Sequence, residues 1–168
     1  MRLDLERYAA SAARLDLAGI DMDAFRERPL DAATLRCLRY MHDIEHHTVC
    51  YLRDLLVTPV HRDPAATTFL TVWNFEEMWH GEAIGRVLAA HGEDAGAPRV
   101  RRLRQRLGLR DGLAPALHAV GAAVAGEAFG ALHMTWGAVN EWTTQVGYAR
   151  LAERAGHLPD RLSGGEQQ

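Results

Sequence analysis

Helical periodicity, carried through three long stretches with almost no strand signal between them, is what most narrows the folds open to this chain. Asp31 is suited to accept from the free N–H groups of a first helical turn. Beyond it, Leu35, Leu38, Met41, Ile44, Val49, Leu52 and Leu56 recur at helical spacing and predict one helix to about Leu56. The run VTPVHRD breaks that pattern. Asp63 then caps a second helix with Pro64 at its first position, where a missing N–H costs nothing, and this helix reaches about His91 before Gly92. A third stretch runs from about Leu113 to Ala155, stops at Gly156, and is expected to kink at Gly121 or Gly126. Shorter helices fit residues 3–17 and 100–107, and no internal repeat is present. The expectation is an all-α helical bundle with short decorations, one domain over residues 1–156, followed by a flexible tail at 157–168.

Composition closes off other classes. With 168 residues, 48% of them hydrophobic and 24% charged, the chain can bury enough apolar surface to offset its ordering entropy. The most apolar segment, Ala114 to Val139, carries His118, Glu127 and His133, so no membrane span is expected. The opening MRLDLERYAAS has no apolar run, so no secretory signal is expected there and a reducing cytoplasmic setting follows. Cys37 and Cys50, thirteen residues apart on one helix, would lie on nearly opposite faces about 20 Å apart and cannot pair. All 19 basic residues are Arg; without lysine, neither a phosphate-binding P-loop nor Schiff-base chemistry is available.

The second helix contains Glu76-Glu77-Met78-Trp79-His80-Gly81. Glu77 and His80 are separated by about 60° around the helix and share a face. Glu-x-x-His on a bundle helix supplies a carboxylate and an imidazole to iron in di-iron carboxylate proteins. Depth along the helices strengthens the reading. Glu45 lies roughly 16 Å before the turn between the first two long helices, and Glu77 roughly 20 Å after it, so an antiparallel pair brings them level. Glu141, roughly 21 Å from the end of the third stretch and flanked by Val139, Trp142 and Val146, falls at a similar depth. A buried carboxylate at such a place needs a partner or a cation. Asp43 and His46, also three apart, are an alternative ligand pair. The bland reading of His42, His46 and His47 is surface or supporting groups, and that of Trp73, Trp79, Trp136 and Trp142 is core packing.

The run Trp73-Asn-Phe-Glu-Glu77-Met-Trp-His80-Gly81 resembles the ligand helix of the soluble acyl-carrier-protein desaturases, with its Trp four residues before the Glu of an EExxHG motif. Asn140-Glu141-Trp-Thr-Thr144-Gln-Val-Gly-Tyr-Ala-Arg150 resembles their third ligand helix, and Glu45 to Tyr51 fits the first more loosely. The resemblance covers roughly residues 35–156. It implies a ferritin-like four-helix core, two irons, ferredoxin as electron donor, acyl carrier protein as substrate carrier, and a homodimer. Within it Glu45, Glu77 and His80 would serve one iron, with Glu77 bridging to a second held by Glu141. Thr144 would sit beside the oxygen-binding pocket. Apart from the resemblance, Trp73 is read as core packing or, alternatively, as a partner that fixes the His80 tautomer.

One departure stands out. No second Glu-x-x-His follows Glu141; the remaining acids are Glu153, Asp160 and Glu166, and the remaining histidine is His157. The expectation is therefore three of the four core helices and half of the second iron's ligands missing. The final LSGGEQQ resembles the signature segment of ATP-binding cassette ATPases, but no GxxxxGK[ST] loop precedes it and no ATPase activity is inferred. A truncated or chimeric reading frame would account for both features, leaving iron bound weakly or at one site without desaturase turnover. The alternatives are a non-catalytic helical module that associates through its uncovered face, and another ferritin-like di-iron oxidase.

Arg99, Arg101, Arg102, Arg104 and Arg106, with Arg110, form a basic cluster on a chain of net charge −3. Such a patch steers acidic partners, acyl carrier protein among them. It lacks the interleaved aromatics that a nucleic-acid surface needs, and a solvated helix face is the bland alternative.

Overall fold

Aspartates start the helices. In the computed structural model, which describes residues 4–18 and 20–155, Asp31 Oδ1 accepts from the N–H groups of Ala33 and Thr34 at 2.7 and 2.8 Å, opening α3 (Ala32–Leu56). Asp63 does the same for Ala65 at 2.8 Å and opens α4 (Pro64–Ala90), with Pro64 in its first turn. Asp4 and Asp21 cap the short helices α1 (Leu5–Ser11) and α2 (Met22–Glu27). Each such cap contributes about 1 kcal/mol. A 3-10 turn, Pro59–Arg62, joins α3 to α4, and α5 (Gly96–Gln105), α6 (Leu109–Ala125) and α7 (Glu127–Ala155) complete the order. Among the described residues every regular element is helical, and no helix is long and apolar enough to cross a membrane. The tail expected at 157–168, with LSGGEQQ and His157, lies outside the described residues, as does Gly156.

α3 and α4 make the most extensive helix–helix contact. They run antiparallel: Asn74 Nδ2 donates to Thr48 Oγ1 at 2.9 Å, and the His42 ring packs over Gly85. α7 returns antiparallel to α3, with Tyr51 beside Gly137 and Met41 against Gly147. The apolar core gathers at one end of this assembly. Leu38 and Met41 of α3, Ile84, Val87 and Leu88 of α4, and Tyr148 and Leu151 of α7 meet there under Phe25 of α2. His91 ties the connection down by accepting from the Leu30 N–H at 3.0 Å through Nε2 and donating to the Val87 carbonyl through Nδ1.

Two expectations are corrected. The buried face of α3 is Thr34, Leu38, Met41, His42, Glu45, Asp54 and Leu55, whereas Ile44, Val49 and Leu56 are exposed. Periodicity alone misplaces the face because α4 and α7 together press on polar positions. The third stretch is also two helices. A continuous helix would separate residues 118 and 129 by roughly 16 Å, yet the rings of His118 and Phe129 lie 5.8 Å apart. The reversal occurs at Gly126, whose φ of 59° and ψ of −137° suit glycine alone. Gly121 makes room for it, since a Cβ there would lie 2.8 Å from the Phe129 ring.

Replacing Gly126 with Ala should therefore destabilise the protein by about 1–3 kcal/mol, read as a lower urea midpoint. An unchanged midpoint would mean that the α6–α7 reversal does not depend on this backbone conformation.

Candidate metal centre

The site is built from three helices. Glu45 projects from α3 at mid-height, Glu77 and His80 project from one face of α4, and Glu141 and Tyr148 come from α7 two turns apart. Glu45, Glu77 and His80 each offer a ligand atom, and these atoms all lie within 4.8 Å of one another. The two carboxyls are buried at 3% and 4% exposure, while His80 is half-buried. His80 Nδ1 stands 3.5 Å from Glu77 Oε2.

Two carboxylates cannot both stay ionised in such a place. Burial pushes both up from the ordinary carboxylate range, Glu45 furthest. At Glu45 the neighbouring Glu77 carboxylate adds to the rise that burial causes. Tyr148 is 7% exposed, and its hydroxyl donates to Glu45 Oε1 at 2.7 Å. Burial and the adjacent Glu45 raise the tyrosine's own pKa, so it remains a donor. The Trp73 indole donates to Glu141 Oε1 at 3.0 Å, and Glu141 adds to the negative field that raises Glu77. The Trp73 indole thus joins α4 to the carboxylate of α7. Thr144 is half-buried one turn beyond Glu141.

A second layer explains the glycine that follows His80. A Cβ on Gly81 would lie 2.8 Å from His46 Nε2, so the His46 ring occupies the space a side chain would take. His42, fully buried, accepts from the Gly96 N–H at 3.2 Å through Nε2 and faces Asp43 Oδ1 at 3.2 Å through Nδ1. Burial lowers the pKa of both histidines. Asp43 is not available as a ligand, because Arg99 clamps it with two hydrogen bonds of 2.7 Å. Burial alone would raise the pKa of Asp43, but that clamp outweighs it and holds the carboxyl below its ordinary value.

The basic cluster is thus partly spent on the fold. Arg99 binds Asp43, Arg102 pairs with Asp94, and Arg104 donates to the His46 carbonyl at 3.2 Å. Arg101 and Arg106 are exposed, and Arg101 and Arg104 line a shallow cleft of about 440 Å³ beside Val100.

Sequence reasoning missed Tyr148, although it lies seven residues after Glu141 and so on the same helix face. Tyr8, whose hydroxyl donates to Glu76 Oε2 at 2.7 Å, carried no signal because α1 approaches α4 only in the tertiary fold. No family model matches the chain, and neither a curated protein nor a solved structure matches it.

The donor set suits one divalent ion: two hard oxygen donors and one imidazole. Without an ion, the pair makes stability depend on pH. Free Glu titrates near ~4.3, whereas Glu77 is raised to about 7 and Glu45 to about 9. The unfolded chain therefore binds fewer protons, and stability must fall as pH rises through those values. Between pH 7 and 9 the metal-free protein should lose several degrees of Tm, since roughly 1 kcal/mol moves Tm by ~2–4 °C at this size. Glu77→Gln should flatten that slope. A Tm that rises across this window in differential scanning calorimetry would contradict the shared proton.

Proposed function

We propose that this chain is a carboxylate–histidine iron protein of the acyl-carrier-protein desaturase type, with a ferritin-like bundle, that by itself holds a single ion. The observation that carries the reading is the buried Glu45–Glu77–His80 cluster, whose ligand atoms converge within 4.8 Å from two antiparallel helices. Burial of two carboxyls costs several kcal/mol unless a proton or a cation joins them. An iron ion in place of the proton would be held by Glu45, Glu77 and His80; Glu141 lies outside that converging group.

Iron supplies dioxygen-dependent oxidising chemistry when bound in proteins of this kind. The chain's own residues supply the rest. Tyr148 orients Glu45, Trp73 holds Glu141, and the half-buried Thr144 shares a face of α7 with Glu141 one turn earlier. Ferredoxin as electron donor and acyl carrier protein as substrate carrier follow from the resemblance. The exposed Arg101 of α5 and Arg106 at its C-terminal cap are available to meet an acidic carrier. Among the described residues no second group of three such side chains converges, so desaturase turnover is not expected from this chain alone.

Anaerobic titration with Fe2+ should give one tightly held ion per chain, and Glu77→Ala should weaken it at least 100-fold. Two tight irons with an oxygen-dependent product would overturn the single-ion reading, and no binding at all would overturn the metal reading.

A second reading is favoured by a separate observation. The outer faces of α6 and α7 carry stripes of exposed apolar side chains, among them Leu109 at 88%, Val124 at 85% and Trp142 at 70% exposure. Scattered apolar residues on a surface are ordinary, whereas stripes at helical spacing mark an association surface. On this reading the chain is a helical association module whose partner is a second copy. Sedimentation should then show a dimer that persists in chelator and dissociates on Leu117→Glu. A wild-type monomer at micromolar concentration would remove this reading.

A further inference from the structure

We propose that α7 pairs antiparallel with the α7 of a second copy, about a two-fold axis that passes Val139. The pairing rests on the reading of the chain as an association module whose partner is a second copy, and it specifies the helix, direction and register.

The exposed stripe on α7 is ordered about its middle. Trp136 and Trp142 stand three residues either side of Val139, and Leu132 and Val146 stand seven either side. At 3.6 residues per turn, all five project within about 60° of the Val139 direction. All five are at least 50% exposed, the two tryptophans 62% and 70%. The opposite side of the helix is committed elsewhere. Gly137 lies against the Tyr51 hydroxyl of α3, and Tyr148 donates to Glu45. α7 therefore cannot roll to bury the stripe without giving up its part in the carboxylate site.

Symmetry selects the occupant of this face. Where two like helices meet about a two-fold axis, each residue faces the one equally distant on the other side of that axis. Trp136 then meets Trp142 of the second copy, Leu132 meets its Val146, and Val139 meets its own counterpart. Every such contact is apolar on apolar, and the tryptophan pair occurs twice. A lipid surface or an unrelated protein sets no such condition on the spacing. Antiparallel order also brings the N-terminal end of each α7 beside the C-terminal end of the other, so opposite poles of the helix dipoles adjoin.

The polar positions within the stripe follow the same order. Thr135 and Thr143 stand four residues either side of Val139. Their hydroxyls donate to the Ala131 and Val139 carbonyls at 2.9 and 2.8 Å. Each donor is used within its own helix, so covering this face strands neither of them. With both copies counted, covering the five apolar side chains removes roughly 1,000 Å² from water, the order at which specific interfaces begin.

The test is oxidative cross-linking of the full chain carrying one introduced cysteine at a time. Val139→Cys should link to itself, because it lies at the axis. Leu132→Cys and Val146→Cys should not link alone, since seven residues from the axis leave like positions roughly 21 Å apart. Mixed together, those two variants should link to each other. Peptide mass spectrometry locates each bond and separates it from any formed through the native Cys37 or Cys50. Sedimentation of the unmutated protein supplies the second measurement. A dimer in which Val139→Cys stays unlinked, the mixed link fails, or all three variants link to themselves as parallel helices would, overturns this register and leaves the association reading standing. A monomer at micromolar concentration overturns both. A monomer that cosediments with phosphatidylglycerol vesicles overturns both as well, and gives the face to lipid.

Discussion

Two carboxyls facing each other in the dark of a helical bundle set the terms for much of this molecule. Glu45 and Glu77 are both nearly inaccessible, and neither can be ionised beside the other without help from a proton or a cation. Only a strong framework can hold them in that relation. The long antiparallel contact of α3 and α4 is such a framework. Its register is tied by the Asn74–Thr48 hydrogen bond below the carboxyls and by the seats that Gly81 and Gly85 offer to His46 and His42 above them. The apolar core beginning one turn away at Met41 and Tyr148 excludes water from the same side.

α7 is held differently. It meets α3 through a few specific contacts: Tyr148 on Glu45, the Tyr51 hydroxyl on the His133 carbonyl, and close approach at Gly137 and Gly147. Its outer face, like that of α6, is apolar and exposed. A helix so placed contributes to the carboxylate site yet leaves much of its own apolar surface unburied, which is why polar anchors at its inner face matter more than they would in a fully enclosed bundle.

Much of this was legible in advance, and the reasons are local. Asp31, Asp63 and Pro64 act within one helical turn of where they stand, so the starts of α3 and α4 could be read from the chain. Glu77 and His80 share a face because of helical geometry alone, and depth along two antiparallel helices was enough to bring Glu45 level with them. The exposed positions of Ile44, Val49, Val139 and Trp142 were not legible, because a helix with apolar residues around most of its circumference does not say which of them its neighbours will cover.

Gly126 shows the boundary between the two kinds of information. Sequence alone gave a long helical stretch and a glycine at which it was expected to kink; only the tertiary structure shows that the chain turns back there and sets His118 beside His133. Likewise, the arginines of α5 and its C-terminal cap were visible as a basic cluster, but their division into Arg99 on Asp43, Arg102 on Asp94 and the exposed Arg101 and Arg106 required the partners to be in place. What the sequence by itself determined was helix identity, capping and the i, i+3 pairing of Glu77 with His80, all of which act over a few residues. What only the tertiary structure decided was which polar groups lost their water, because desolvation depends on neighbours that arrive from distant parts of the chain.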